Sequence, residues 1–261
     1  TFDLDPLVKN LTVGVAIHAP NFIGAFLDET SLTRFFAIET YFLTAMATVG
    51  VGYRPLKWLS FGAGVSYIYV MFQQYKNMLL PGVDEFKVKM DGTDHDAQFH
   101  FGVLAEPVKW LSIGVALNTR ANLEIEGDAN VWERSRETSS EPLIRMRHQT
   151  AMLIPMKVMA GINIHPVDWF EFGIDYYYWH YSVFKVQTTD LIFSDDANPF
   201  LREQLENMDM DAPRHYSDSH AICGGVRFKI PAPFPIYAMA GAQYDWSPAN
   251  PKYVTLDAPY T

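Results

Sequence analysis

A short run of histidine and aspartate residues is the first part of the sequence whose residue types could do chemistry. His95, Asp96 and His100 lie close together, and Asp91 and Asp94 precede them. Imidazole nitrogens and carboxylate oxygens are common metal ligands. In an extended strand only Asp96 of this group shares a face with His100, because successive side chains point to opposite sides. The spacing therefore predicts no specific metal site, and loose contact of acidic loops with divalent cations is the alternative.

A hydrolase would need a nucleophile with a base, and His180 and Ser182 share one strand face. The spacing supplies no acid to orient this histidine. The chain also has no GxSxG motif and no glycine-rich phosphate-binding loop. The sequence therefore predicts that the protein is not an enzyme and needs no cofactor.

Composition excludes several further classes of protein. The chain has 20 Lys and Arg against 30 Asp and Glu, a net charge of -10, which argues against a nucleic-acid partner. Its single cysteine, Cys223, excludes an intramolecular disulfide framework. No run of about 18 apolar residues occurs, so no transmembrane helix is predicted. Aromatic residues make up 15% of the chain, and their placement has to be explained.

Alternation with a period of two residues recurs in long runs and predicts β-strands. In the run 110–126 the odd positions are mostly apolar and the even positions from Ser112 onward are polar or small, and the runs 59–71 and 170–179 also alternate. Counting such runs predicts ten strands, near residues 11–27, 40–54, 58–75, 95–107, 110–126, 150–165, 168–185, 217–230, 235–247 and from 252 onward.

The connections between these strands alternate between short and long. Three similar turns, RPLKWLSFG at Arg54, EPVKWLSIG at Glu106 and HPVDWFEFG at His165, oppose polar connections near 76–94, 127–149 and 186–216. Short turns at one end and long loops at the other are typical of a transmembrane β-barrel. Ten residue steps, from Leu59 to Tyr69, span roughly 23 Å when tilted, close to the apolar band of such barrels. A soluble β-sandwich or lipocalin-like barrel is the alternative, because alternation does not show which face meets water.

Five segments, in order, carry a resemblance to a known family. They are LTVGVAIHAPNFIGAF at Leu11, WLSFGAGVSYIYV at Trp58, LNTRANLEIEGDANV at Leu117, LIPMKVMAGINIHPVDWFEFGIDYYYWHYSVF at Leu153 and GGVRFKIPAPFPIYAMAGAQYDWSPANPKYVTLDAP at Gly224. Together they resemble the FadL family of outer-membrane transporters for long-chain fatty acids and other hydrophobic molecules.

The resemblance implies an all-β fold, a 14-stranded transmembrane antiparallel β-barrel of which this chain covers about ten strands. Family members carry an N-terminal hatch that plugs the barrel. We therefore expect residues 1–261 to form a single β-barrel domain without the hatch. Two strands before Leu11 and two after Thr261 are also expected to be absent. An open sheet of ten strands would leave unpaired edges in lipid, so we expect further segments to complete the barrel.

The resemblance also implies a route for the ligand. It is captured among extracellular loops, passes to an interior site and leaves sideways where the family's third strand kinks inward. The kink aligns with a lateral gate at Pro20, Asn21, Phe22 and Gly24. Pro20 has no amide donor and Gly24 tolerates unusual dihedral angles, so pairing should weaken here, although a plain strand end is the alternative. Lys76 is the nearest candidate for the capture loop.

Strand parity selects the residues that could contact a ligand inside the barrel. A cation in the lumen could pair with a carboxylate, and methionine and aromatic side chains could line an apolar path. The alternative is that the lumen cations are neutralised by Glu124, Glu171 and Asp175, which strand parity also places inside the barrel. The predicted lumen residues are Arg120, Lys157, Arg227, Lys229, Met46, Met159, Tyr177, Trp179 and Met239.

These observations predict passive uptake of a long-chain fatty acid or another hydrophobic small molecule across the bacterial outer membrane. Outer-membrane lipids and lipopolysaccharide are the expected neighbours, and protein partners in the membrane are possible. Two alternatives stay open. A barrel of this type could serve as a scaffold or anchor in an outer-membrane complex, or a soluble barrel could bind lipids.

Overall fold

The computed structural model describes residues 2–3, 9–35, 37–79, 85–133, 141–194, 198–208, 210–230, 234 and 236–252. Within these ranges the chain is almost entirely antiparallel β-sheet, which confirms the predicted all-β class. The helices described are α1 (Pro199–Glu206) and two short 3-10 helices, Leu32–Phe35 and Tyr181–Val183. None of these helices is long and apolar enough to cross a membrane.

The strands of the described ranges follow one another as antiparallel neighbours along most of the chain. The main sheet has the order β1-β2-β3-β4-β5-β6-β9-β10-β14-β15; in addition, β7 pairs with β5 and β8, β12 pairs with β8, and β11 pairs separately with β13. The strands are β1 (Phe2–Asp3), β2 (Leu11–Phe26), β3 (Glu39–Leu56), β4 (Leu59–Leu79), β5 (Glu85–Val108), β6 (Leu111–Asn118), β7 (Ala121–Glu133), β8 (Ile144–Ile154), β9 (Lys157–Val167), β10 (Phe170–Trp179), β11 (Val186–Gln187), β12 (Thr189–Phe193), β13 (Ala212–Pro213), β14 (Ser219–Ile230) and β15 (Ile236–Asp245).

Two of the predicted polar connections are largely strand. β4 continues to Leu79 and β5 begins at Glu85, and likewise β7 and β8 extend into the region 127–149. The prediction of loops was wrong here because these extensions carry polar residues such as Arg145 and Arg147 on the side away from the interior. A strand face in water needs no apolar row, so the pattern that marked the other strands is missing. Residues 253–261 of the predicted last strand lie outside the described residues.

The sheet has an inner face, which carries the buried side chains, and an outer face. In β4, Ser66, Ile68 and Val70 are buried, whereas Tyr67 and Met71 between or beyond them are exposed. The outer face of β4, β5, β6 and β9 is nevertheless rich in large apolar residues. An exposed apolar outer row opposite an inner row with polar residues is typical of a barrel wall in lipid.

The positions that face the interior change from even to odd between β6 and β7. In β6 the odd positions Ile113 and Val115 are exposed, but in β7 the odd positions Leu123 and Ile125 are fully buried. The two-residue break at 119–120 causes this inversion. A matching break at 155–156 separates β8 from β9, the strands that pair with β7 and β6, and inverts the inward-facing positions there as well. The single apolar face predicted for 110–126 was therefore wrong. Glu124 lies on the outer face, not in the lumen.

The interior has two different parts. Near the long hairpins, which we call the upper end, apolar side chains pack into one buried cluster that includes Leu201 and Leu205 of α1. Towards the short turns, the lower end, glycines face inward and pair with one another across the strands. These pairs are Gly14 with Gly50, Gly50 with Gly64, Gly52 with Gly62, Gly62 with Gly102, Gly114 with Gly161, Gly173 with Gly225 and Gly225 with Gly241.

One glycine pair has a different purpose, because it lets two strands approach closely. Gly92 of β5 pairs with Gly127 of β7 just above the break. A Cβ atom on Gly92 would lie 2.7 Å from the carbonyl oxygen of Glu126, and one on Gly127 would overlap the carbonyl oxygen of Asp91. Since backbone atoms cannot yield as a flexible side chain can, both positions require glycine.

We expect Gly127→Ala to lower the free energy of unfolding by about 1–3 kcal/mol, as overpacking in a close contact does. Gly52→Ala is the matched control, because a Cβ there meets nothing within 4 Å. Urea unfolding in lipid vesicles measures both variants. Equal stability losses in the two variants would contradict the close approach at Gly92 and Gly127.

Candidate ligand-binding lumen

Lys157 is the predicted lumen cation with the clearest setting. It is the first residue of β9, directly after the break, and the register places it beside Trp179 of β10 and Asn118 of β6. Its Nζ atom lies 4.7 Å from the ring centroid of Tyr177 and 5.0 Å from that of Trp179. Within the described ranges no carboxylate forms an ion pair with it. The three predicted residues Lys157, Tyr177 and Trp179 are thus brought together on the inner face.

Arg227, by contrast, is neutralised. Its guanidinium forms an ion pair with Glu171, whose Oε1 also accepts a hydrogen bond of 2.8 Å from Asn163. The Arg227 guanidinium lies 5.5 Å from the ring centroid of Tyr237. These residues line a cavity of about 340 Å³ at the lower end, which Lys229 also borders. Because Arg227 already has a carboxylate partner, it is a weaker candidate for binding an anionic ligand than Lys157.

The remaining predicted lumen residues do not form one path. Met46 belongs to the packed upper cluster, whereas Met159 lines an open groove lower down. Met239 lies opposite Arg227 on β15 and is exposed. Arg120 falls within the break at 119–120 and is exposed, so the continuous parity that placed it in the lumen does not hold there.

Two grooves of the lower interior offer space for an apolar molecule. One, of about 600 Å³, is lined by residues that include Met159, Tyr177 and Asp175. The other, of about 530 Å³, is lined by residues that include His100 and Asn118. The two share walls, because both are also lined by Gly62, Gly102 and Ala116.

A string of polar side chains that was not among the predicted site residues crosses four strands at the top of these grooves. The Thr48 and Ser66 hydroxyl oxygens lie 2.6 Å apart, and Ser66 Oγ lies 2.6 Å from His100 Nε2. His100 Nδ1 lies 2.9 Å from Asn118 Oδ1. The parity of Thr48, Ser66, His100 and Asn118 could have grouped them, but only the register shows that they are neighbours.

The region aligned with the lateral gate contains a bulge. β2 pairs with β3 through His18 and Met46 and again through Asn21 and Thr44, so β2 has one extra residue at Ala19 and Pro20. Pairing then continues through Phe22 and Gly24 to the end of β2. A bulge disrupts the ladder locally, as expected from the proline. The register thus excludes a plain strand end at Pro20.

Lys76 does not lie in a loop. It is part of β4 and pairs with Val88 in the hairpin that β4 forms with β5. The polar stretch around it was predicted as a connection because it lacks an apolar outer row. If Lys76 contacts the ligand during capture, it does so from the β4–β5 hairpin and not from a loop.

The histidine and aspartate run 91–100 is divided between different surroundings. The His95 ring packs against Tyr67 on the outer face, 5.9 Å between centroids, while His100 faces the interior. Among the described residues no group of three potential ligands could hold a metal ion.

Asp94 and Asp96 have a structural task in the wall. On its edge toward β6 and β7, β5 has no paired residues between the pairs Thr93 with Glu126 and His100 with Asn118, although its other edge stays paired with β4 throughout. Asp94 accepts a 2.6 Å hydrogen bond from the N–H of Glu124, and Asp96 accepts one of 2.8 Å from the N–H of Asn122. The two carboxylates therefore take the place of carbonyl oxygens along this seam, which we call the carboxylate seam.

The pair His180 and Ser182 gains an acid that the spacing did not indicate. Asp218 lies 3.2 Å from His180 Nδ1 and accepts the N–H of Ser182 at 2.9 Å. Burial acts to raise the pKa of Asp218, but hydrogen bonds from Ser182 and Tyr178 hold it at about 2. Ser182 Oγ is 3.5 Å from the same Nδ1 atom. A catalytic triad needs the hydroxyl and the carboxylate on opposite ring nitrogens, so this cluster does not have the geometry of a hydrolase.

We expect the double variant Asp94→Ala and Asp96→Ala to speed hydrogen exchange at the amides of Asn122 and Glu124 by roughly tenfold or more. Each of the two amides loses a hydrogen bond to a charged acceptor, and such a bond contributes about 1.5–3 kcal/mol. Hydrogen exchange mass spectrometry of the segment 119–126 measures this. Asp190→Ala, an exposed aspartate of β12, is the control, and unchanged exchange in the double variant would show that the carboxylates do not hold the seam.

The outer apolar rows, the inner polar and glycine-lined rows and the short turns at one end define the wall of a transmembrane β-barrel. The family model described as outer membrane protein transport protein (OMPP1/FadL/TodX) matches residues 4–261. The chain therefore belongs to this family, and its location is the bacterial outer membrane. The resemblance stated from the sequence is confirmed.

Solved structures agree with this fold. A Pseudomonas aeruginosa FadL homologue superposes with a TM-score of 0.77 at 15% identity, over 94% of this chain and 59% of that one. The Pseudomonas putida toluene transporter TodX gives 0.68 at 12% identity, over 95% and 68%. A deltaS2 mutant of the TodX monoaromatic hydrocarbon channel gives 0.72 at 12% identity, over 97% and 68%. The chain thus spans only part of these relatives, and no curated protein sequence matches it.

Proposed function

We propose that the protein carries out passive uptake of hydrophobic small molecules across the outer membrane. The observation that carries this proposal is the pair of adjoining inner grooves, of about 600 and 530 Å³, whose walls are mostly glycine and apolar residues. Family membership supports it, because the family is described as outer membrane transport proteins. Movement through such a lumen involves no covalent chemistry, so no nucleophile or cofactor is needed.

The preferred ligand is a long-chain fatty acid or a similar molecule with one polar end. Lys157 supports this preference, since its ammonium group faces the lumen beside two aromatic rings and has no carboxylate partner in the described part of the chain. An ammonium group in such a setting attracts a carboxylate more strongly than it would in water, because fewer water molecules compete. Lipids and lipopolysaccharide would surround the apolar outer face.

The ligand leaves sideways at the bulge of β2. There the ladder between β2 and β3 is interrupted on one side by Pro20, which has no N–H to donate. Buried beside it, Thr44 Oγ1 has no hydrogen-bond partner among the described residues. Weak pairing at this point provides a place where the wall can part at a lower free-energy cost than along a regular ladder.

Uptake of radiolabelled hexadecanoate by bacterial cells whose own transporter of this family is deleted tests the function. The protein should raise uptake well above that of cells with an empty vector. Lys157→Gln should lower it roughly tenfold, the effect of losing one charge-assisted contact of about 1.5 kcal/mol. Lys57→Gln, in the exposed short turn between β3 and β4, is the matched control. Uptake no higher than with the empty vector would refute the proposed function.

Deletion of Pro20 tests the lateral exit separately. Removing the extra residue should restore a continuous register, because Asn21 already pairs with Thr44 and His18 with Met46. We expect uptake to fall at least fivefold with the deletion, while Pro20→Ala, which keeps the extra residue, should lower uptake far less. Full uptake in the deletion variant, with normal insertion in the membrane, would rule out an exit at this bulge.

A further inference from the structure

The string Thr48, Ser66, His100 and Asn118 has a direction that follows from hydrogen-bond chemistry. The oxygen of the Asn118 amide can only accept, so the Nδ1 atom of His100 has to carry the proton and donate to it. The Nε2 atom of the neutral imidazole then accepts a hydrogen bond from the hydroxyl of Ser66, and the Ser66 oxygen accepts one from the hydroxyl of Thr48. The orientation of the Asn118 amide is therefore fixed by three side chains on three other strands.

This orientation points the amide nitrogen of Asn118 away from His100. Its oxygen is occupied by His100, and no hydrogen bond of its Nδ2 atom to protein occurs within the described ranges. An amide nitrogen has two N–H donors, and a half-buried donor gains from a partner that replaces water. Asn118 borders the groove of about 530 Å³, so these donors are accessible to a molecule that occupies it.

Lys157 adds a positive charge beside this amide. The two residues are direct partners in the register of β6 and β9, where paired Cβ atoms are about 4.5–5.5 Å apart, and both point to the inner face. The Lys157 ammonium rests on the rings of Tyr177 and Trp179, which restricts where it can move. An amide with two N–H donors and an ammonium group therefore lie side by side at the top of the glycine-lined grooves.

We propose that Asn118 and Lys157 together bind the oxygen atoms of a ligand head group, and that His100 is the positioning residue that aims the Asn118 amide at them. This inference rests on the proposed function and makes it more specific. The substrate class is an apolar molecule that ends in a carboxylate or a carbonyl group, with its chain or ring lying on the glycine floor around Gly62 and Gly102. Plain hydrocarbons of the same length bind without this contribution.

Three probes of equal chain length separate the contributions. Hexadecanoate has a charged acceptor, hexadecan-2-one has a neutral acceptor and hexadecane has none. Their affinities are measured by displacement of a lipophilic fluorescent dye from the purified protein in nanodiscs, and a heat-shifted band on a gel shows that each variant is folded.

Asn118→Leu should weaken binding of hexadecanoate and of hexadecan-2-one about tenfold, and binding of hexadecane less than twofold. Lys157→Met should weaken hexadecanoate more than hexadecan-2-one, because only the former is charged. His100→Leu should reproduce the pattern of Asn118→Leu, whereas His100→Gln retains an amide donor and should restore part of the affinity. Asn122→Leu, the same change on the outer face of β7, should leave all three affinities unchanged.

The proposal is overturned if Asn118→Leu weakens all three probes equally or none of them, or if His100→Leu has no selective effect. A failure of the proposed function looks different. In that case the wild-type protein gives cells no uptake of hexadecane or hexadecanoate above the empty vector, whatever the affinities measured in nanodiscs.

Discussion

Backbone hydrogen bonding in a medium without water is the constraint on which the rest of this structure depends. In hydrocarbon, each unpaired N–H or C=O group costs several kcal/mol, so strands in a membrane must find partners along their whole length. The long ladders of the main sheet meet this requirement for the strands that lie between the end strands β2 and β15. Where the ladder between β5 and β7 is interrupted, just above the break at 119–120, Asp94 and Asp96 accept the N–H groups of Glu124 and Asn122 in place of carbonyl oxygens.

The alternation of side chains follows from the same ladders and decides which residues face the lumen. The breaks at 119–120 and 155–156 reverse that alternation on two neighbouring strands at one height. Below them, apolar residues such as Val115 lie on the outer face, and above them Leu123 and Ile125 fill the interior while polar residues face outward. We infer that this height marks the upper edge of the apolar band. Because of this inversion, large apolar side chains of β7 face inward above the breaks and fill the upper interior, whereas glycines and small residues face inward below them.

Much of this could be predicted from alternation alone. Lys157, Tyr177 and Trp179 were assigned to the lumen by parity, and the structure places them together because β9 and β10 are regular below the breaks. Glu124 and Arg120 were assigned wrongly, since a run of alternating residues does not reveal a two-residue break that changes the phase. The polar hairpin extensions were missed because strands in water carry no apolar outer row. The string from Thr48 to Asn118 needed the register of four strands, which no spacing within one strand contains.

The inversion of the faces can be measured directly by single-cysteine labelling of positions 111–126 in a background that lacks Cys223. We expect a lipid-soluble reagent to label the odd positions from 111 to 117. A membrane-impermeant reagent should label the even positions from 122 to 126, and positions 121, 123 and 125 should be protected from both reagents. Labelling of 121, 123 and 125 from the lipid phase, in continuous alternation with the lower strand, would contradict the inversion.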